Sequence, residues 1–285
     1  MIYIVTAMYA EARPFIESFG LKKDISQTRF QVFRSREAEI CLLISGSGPI
    51  AAAVAVSSVL AQSRTGREDF LVNAGICACI QGSFRQGDIF LCSKIRERAS
   101  GRTFYPDLLY RHEFREAQII TGAKPCDGTD GKEPAEEGFC LYDMEAAAVY
   151  QAGAYYLGPH QMSFLKVVSD DGNVRHLTPD LIGRLMEENR EGIADYIKVL
   201  QAAACGQRRE AIFTEETEAL IERLCADLHC SRVMSESLRQ HMRYFVLSGA
   251  DFESVTEEMY REGRLPCKDK REGKKCLEEF GKRLL

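Results

Sequence analysis

The sequence has no apolar run near the roughly 18 residues that a membrane-spanning helix needs, so no membrane partner is expected. It also has no excess of positive charge. Lysine and arginine number 37 against 42 aspartate and glutamate, a formal charge of −5. Nucleic-acid binding requires a strongly basic face, and none is indicated. Residues 1–8 carry neither a charged leader region nor a cleavage site, and read as a strand and not a targeting segment. Cysteine is plentiful, but its count of eleven is odd and the chain of 285 residues is long. That does not fit a disulfide framework, and the expected setting is a reducing cytoplasm. Metal spacing is lacking as well. Cys77 and Cys79 stand as C-x-C in an apolar run with no second Cys or His pair at ligand distance, and read as small buried side chains. Neither a metal nor a redox cofactor is expected.

What is present is 45% hydrophobic residues, enough for a sizeable core. Near-continuous apolar runs at residues 2–8, 40–45, 70–80, 89–95 and 163–169 predict strands covered on both faces. Helical patterns fall between or after them, at residues 51–62, 145–157 and 179–204, with Pro49 near the first helical turn of the earliest. Strands alternating with helices predict an α/β domain in three layers, α/β/α. Residues 122–137 are polar and glycine-rich and read as a surface loop. Composition shifts near Gln207, after which no strand-like run appears. Residues 1–208 are therefore read as the catalytic domain and 209–285 as a small C-terminal helical appendage. In the appendage Thr214, Ser235 and Ser254 are candidate helix caps, and Gly249 and Gly263 candidate stops. Its lysine- and arginine-rich end reads as a solvated helix surface.

Three carboxylates close apolar runs: Glu11, Glu145 and Asp170. In open α/β sheets ligands bind outside the carboxyl ends of strands, where an acid is well placed for chemistry. Each also has a structural alternative: a helix-start residue for Glu11, a first-turn acid for Glu145, a helix cap for Asp170.

Taken together with their neighbours, these segments resemble the nucleoside phosphorylase and nucleosidase superfamily, and within it the 5′-methylthioadenosine/S-adenosylhomocysteine nucleosidases. The resemblance covers roughly residues 1–200. It is carried in order by Val5-Thr6-Ala7-Met8-Tyr9-Ala10-Glu11, Ser45-Gly46-Ser47-Gly48-Pro49, Asn73-Ala74-Gly75 with Gly87-Asp88-Ile89, Asp143-Met144-Glu145-Ala146, and Val168-Ser169-Asp170. It implies hydrolysis of the N-glycosidic bond of a purine nucleoside, an adenosine derivative modified at the 5′ position. Asp170 would be the general acid at N7 of the base. Glu145 would bind the ribose hydroxyls and favour the cationic sugar. Glu11 would position or deprotonate the attacking water. Met144 and Met8 would pack on the sugar and 5′ region, with ordinary core as the alternative for both. Ser169 and Ser47 belong to the matching substrate-binding segments. A homodimer is implied too, and Phe104 and Tyr105 lie in a segment that in such enzymes reaches toward a partner's site.

The pattern departs in places. Ile76 stands where a small or hydroxyl residue is usual, Ala78-Cys79 replaces Gly-Gly, and Pro179 replaces an aromatic. Lys166 receives no role, and no residues are assigned to the base pocket. Ile76 removes a polar contact that phosphate would want, and no arginine set matches a phosphate site, Arg13 and Arg85 reading as surface residues. Hydrolysis is thus preferred over a phosphate-dependent purine nucleoside phosphorylase. A catalytically weak nucleoside-binding or regulatory protein is the second alternative.

Overall fold

The computed structural model describes the chain apart from residues 27–28, 64, 83, 127–138, 173–175, 210–212, 250–251 and 283–285. The chain divides into two compact units, Met1–Arg208 and Arg209–Leu285.

Among its described residues the first unit is built on one ten-stranded sheet. Five of its strands are the near-continuous apolar runs: β1 (Ile2–Thr6), β4 (Ile40–Ile44), β5 (Phe70–Cys79), β6 (Ile89–Glu97) and β10 (Met162–Asp170). Five others lack such a run: β2 (Lys22–Lys23), β3 (Gln31–Ser35), β7 (Thr103–Phe104), β8 (Arg115–Thr121) and β9 (Phe139–Asp143). β5 pairs with β1 and with β10, both parallel. Beyond β10 the pairing runs through β6, β8 and β9 and returns to β5, closing five strands into a circuit. On the other side β1, β4, β3 and β2 extend as an open sheet.

Helices cover both faces, which gives the expected three layers. On one face lie α2 (Pro49–Ala61) and α3 (Ala146–Gly153), where Ala52, Ala55, Val56, Ala148 and Val149 are buried against Leu71 and Phe164. Their alanines let backbones approach closely, since little side-chain volume intervenes. On the other face lie α1 (Tyr9–Ser18), α4 (Pro179–Glu188) and α5 (Arg190–Arg209), with Phe15, Met186, Ile193 and Ile197 packed over Ile4, Val72 and Leu165.

The structure corrects several local readings. The amphipathic stretch over 179–204 is two helices and not one, broken at Asn189. The Asn189 amide donates to the carbonyls of Leu185 (2.9 Å) and Gly87 (3.0 Å), and such side chains compete with helical bonding. The helix over 145–157 is shorter, Ala146–Gly153, with Glu145 at its N-cap. Of the loop over 122–137, residues 127–137 lie outside the described residues.

The second unit has four helices among its described residues: α6 (Glu215–Asp227), α7 (Arg232–Ser248), α8 (Phe252–Arg261) and α9 (Lys270–Lys282). Thr214 caps α6 by accepting from the Thr217 N–H at 3.2 Å, and Gly249 ends α7 in the left-handed conformation at φ 69°. Ser235 and Ser254 are not caps. Both lie inside helices, because α7 starts after Ser231 and α8 starts at Phe252. The basic end forms α9, which exposes Lys270, Arg271, Lys274 and Lys275 and buries Cys276, Leu277 and Phe280.

Candidate active site

The carboxyl ends of β1, β5, β9 and β10 open onto a cavity of about 390 Å³. All seven residues named from the sequence line it: Met8, Glu11, Ser47, Met144, Glu145, Ser169 and Asp170.

Glu11 sits in the first turn of α1, directly after β1. It is almost fully buried. Its Oε2 accepts from the Ala7 N–H (2.8 Å) and the Met8 N–H (3.0 Å), and its Oε1 from the Ile76 N–H (3.0 Å). The departure at Ile76 therefore leaves this link intact, since it uses the main chain. Close approach demands Gly75, where a Cβ would stand 2.8 Å from Glu11 Oε1. Burial raises the Glu11 pKa, against the pull of the Ile76 N–H and Lys166.

Glu145 faces it from the start of α3. Its Oε1 accepts from the Gly48 N–H at 2.8 Å. Gly48 occupies φ 99°, a conformation that L side chains rarely adopt, and it turns the chain between β4 and α2. Burial and the nearby Asp143 raise the Glu145 pKa to about 7, with Lys166 opposing them.

Beneath Glu145 lies a buried ion pair that the sequence reading did not assemble. Lys166 in mid-β10 and Asp143 at the end of β9 meet at 2.8 Å, both side chains 1% exposed. Asp143 Oδ1 accepts from Thr121 Oγ1 (2.7 Å) and its Oδ2 also from the Ala146 N–H (2.8 Å). Burial works against the Lys166 charge, but Asp143 and Glu145 outweigh it and hold the lysine above its ordinary pKa. The signal was a single cation inside the run Phe164-Leu165-Lys166-Val167-Val168, because a charge in a strand buried on both faces must be paired.

Asp170 ends β10, beyond a bulge where the register with β5 shifts. Its Oδ1 accepts from the Gly172 N–H (2.8 Å), and its Oδ2 lies 2.6 Å from Ser169 Oγ, which is itself 3.1 Å from the Cys77 carbonyl. Ser47, on the exposed turn before α2, and Met8 and Met144, both half-buried, complete the lining. Pro125, Cys126, Tyr142, Leu177 and Ile182 also line the cavity and were not named from the sequence. Tyr142 lies in β9, which carries no apolar run, and the others come from connections and a helix start with no period to mark them.

On one side Met8 and Pro179 also border a groove of about 710 Å³ with Arg13, Arg184 and Glu187 at its edge. Among the described residues lining the central cavity none is arginine. Arg13 is exposed and 3.9 Å from Glu17. Phe104 stacks on Tyr150 at 5.0 Å between ring centroids, and Tyr105 is exposed. Neither lines the cavity of its own chain.

Solved structures share this fold. The 5′-methylthioadenosine/S-adenosylhomocysteine nucleosidase of Neisseria meningitidis, in complex with methylthio-immucillin-A, matches with TM-score 0.57 at 17% identity, over 69% of this chain and 98% of its own. Arabidopsis thaliana 5′-methylthioadenosine nucleosidase gives 0.59 at 19%, over 70% and 95%. Helicobacter pylori futalosine hydrolase gives 0.55 at 14%, over 69% and 97%. No protein-family model and no curated protein sequence matches the chain. The fold is that of the nucleoside phosphorylases and nucleosidases.

Proposed function

We propose that the chain hydrolyses the N-glycosidic bond of a purine nucleoside, an adenosine derivative modified at its 5′ position, and releases the free base. The observation that carries this reading is one cavity holding, besides the Lys166-paired Asp143, three carboxylates in three different settings. Glu145, which lines the cavity with its pKa near 7 and its Oε1 on the Gly48 N–H, accepts hydrogen bonds from the ribose hydroxyls. Its charge favours the oxocarbenium-like sugar as the C1′–N9 bond lengthens. Asp170, at the strand end, delivers a proton to N7, so that the bond's electron pair leaves on a neutral base. Glu11, fixed by three backbone N–H groups, orients a water on C1′ and takes its proton as the new C–O bond forms. Met8, Met144 and Ser47 flank the sugar. The groove beyond Met8 and Pro179 offers room for a 5′ substituent.

Water is preferred to phosphate as the nucleophile because no described arginine lines the cavity and the buried Lys166, which acts on Glu145, is already held by Asp143. A homodimer in the cytoplasm accompanies this reading, with no metal or cofactor in the reaction.

The test is base release by the purified protein from 5′-methylthioadenosine, S-adenosylhomocysteine, 5′-deoxyadenosine, adenosine and inosine, each with and without phosphate. Free base without phosphate is expected, with a 5′-modified adenosine preferred. Release only with phosphate makes the protein a phosphorylase. Binding without release in any case makes it a nucleoside-binding protein.

A further inference from the structure

We infer that the base end of this site takes a purine carrying an apolar substituent on its 6-position, which extends past Asp170 into a second cavity. The inference rests on the nucleosidase reading, which fixes how the nucleoside lies: ribose at Glu145, N7 at Asp170. In a purine, N7 and the substituent on C6 share one edge of the ring system. A group on C6 therefore leaves the base alongside Asp170.

At that point a second cavity of about 410 Å³ begins. It shares Ser169, Asp170 and Leu177 with the first and continues between the β5–β6 turn and the start of α4. Phe84, Leu177, Leu181 and Cys79 give it apolar walls, and Gln86, Ser169, Asp170 and the exposed Asp171 and His176 give it polar ones. Its walls are held in place. The Phe84 ring meets Phe90 edge-on at 4.7 Å, and the Arg115 guanidinium lies 4.9 Å from the Phe84 centroid. Gln86 donates to the Ser169 carbonyl at 2.7 Å, tying the β5–β6 turn to the residue before Asp170. A plain 6-amino or 6-oxo group would leave this space to water, whereas an apolar substituent would bury its surface against the phenyl and leucine walls.

The test uses the full chain and two separate readouts. Binding of adenine and N6-benzyladenine is measured by calorimetry, and turnover is measured on 5′-methylthioadenosine and its N6-benzyl derivative. N6-benzyladenine is expected to bind about tenfold or more tightly than adenine, and the N6-benzyl nucleoside to be cleaved with kcat/KM no lower than its parent. Leu181→Trp, which fills the second cavity, is expected to abolish the preference and leave turnover of 5′-methylthioadenosine within about twofold. Because Leu181 also packs partly on the core, the exposed His176→Trp narrows the same space in parallel. Any smaller preference for N6-benzyladenine, with the parent nucleoside still cleaved, overturns the second site and leaves the nucleosidase reading standing. A tenfold preference with no cleavage of any nucleoside supports the site and overturns the reaction. Failure of both bases to bind, together with no cleavage of any nucleoside, overturns both.

Discussion

Lys166 is a residue whose cost and use can both be stated. A lysine 1% exposed inside a strand is tolerated because Asp143 meets it at 2.8 Å and Thr121 and the Ala146 N–H satisfy the rest of that carboxylate. Removing one partner of such a pair leaves the other charge buried and unpaired, so Lys166→Met is expected to cost about 3–5 kcal/mol of stability. A second effect is readable in catalysis. The Glu145 carboxylate is the form that binds ribose, and its pKa is pushed up to about 7. As pH falls through about 7 it takes up a proton, so kcat/KM is expected to fall on that limb. Lys166 pulls the Glu145 pKa down, and its loss should move the limb to higher pH. A pH–rate profile of both proteins checks this, and an unmoved limb would remove Lys166 from the argument. The same shift has a sign in stability. Unfolded Glu145 ionises near 4.5 and folded Glu145 near 7, so its stabilising contribution is present below 4.5 and lost as pH rises through 7. Glu145→Gln should therefore raise Tm more at pH 8 than at pH 5. At Asp170 the expectation is simpler. Asp170→Asn keeps shape but removes the transferable proton, and turnover should drop by roughly 10²–10⁴-fold in steady-state assays. Near wild-type turnover would dismiss Asp170 as the acid.

At the scale of elements, the site exists because four strand ends and three helix starts converge, and close backbone approach fixes the fit. Gly75 in β5 shows it. A methyl group there would stand 2.8 Å from Glu11 Oε1, and three backbone N–H groups keep that carboxylate from moving aside. Gly75→Ala is expected to keep the fold by circular dichroism, since overpacking costs about 1–3 kcal/mol. It should lower kcat by roughly 10²-fold through displacement of Glu11. Unchanged kcat would mean that Glu11 need not be held so closely. This dependence on approach also explains what the sequence revealed. β1, β4, β5, β6 and β10 were legible because burial on both faces writes an unbroken apolar run. β3 (Gln31–Ser35) and β8 (Arg115–Thr121) mix charged and apolar residues, since parts of them meet solvent. Glu11 and Asp170 were legible because each follows a run that names a strand end, and Glu145 because it opens an alanine-rich helix. Asp143 with Lys166 was not, because pairing across 23 positions is a property of β9 and β10 lying in one closed circuit of strands. Pro125, Cys126 and Tyr142 escaped for the same reason: they line the cavity only through the folded path of the chain.

At the scale of the whole molecule the two units have separate cores. Ile221, Leu224, Leu238, Met242, Phe245, Leu277 and Phe280 form a cluster that draws only on the second unit, while the two clusters covering the sheet draw only on the first. Cooperativity follows shared burial, so calorimetry of the full chain is expected to resolve two unfolding transitions. A single substitution can assign them. Gly273, in the first turns of α9, lies against the end of α6 so closely that a Cβ would fall 1.8 Å from the Leu228 carbonyl oxygen. That neighbour is main chain and cannot rotate away. Gly273→Ala must therefore separate α9 from α6 or distort one of them, at about 1–3 kcal/mol or more. It should lower one transition by several degrees, and the other should stay where it is. If base release in that variant survives unchanged at a temperature above the lowered transition and below the other, the chemistry belongs to the first unit alone. If both transitions fall together, the two cores unfold as one, and the second unit is part of what holds the catalytic cavity in shape.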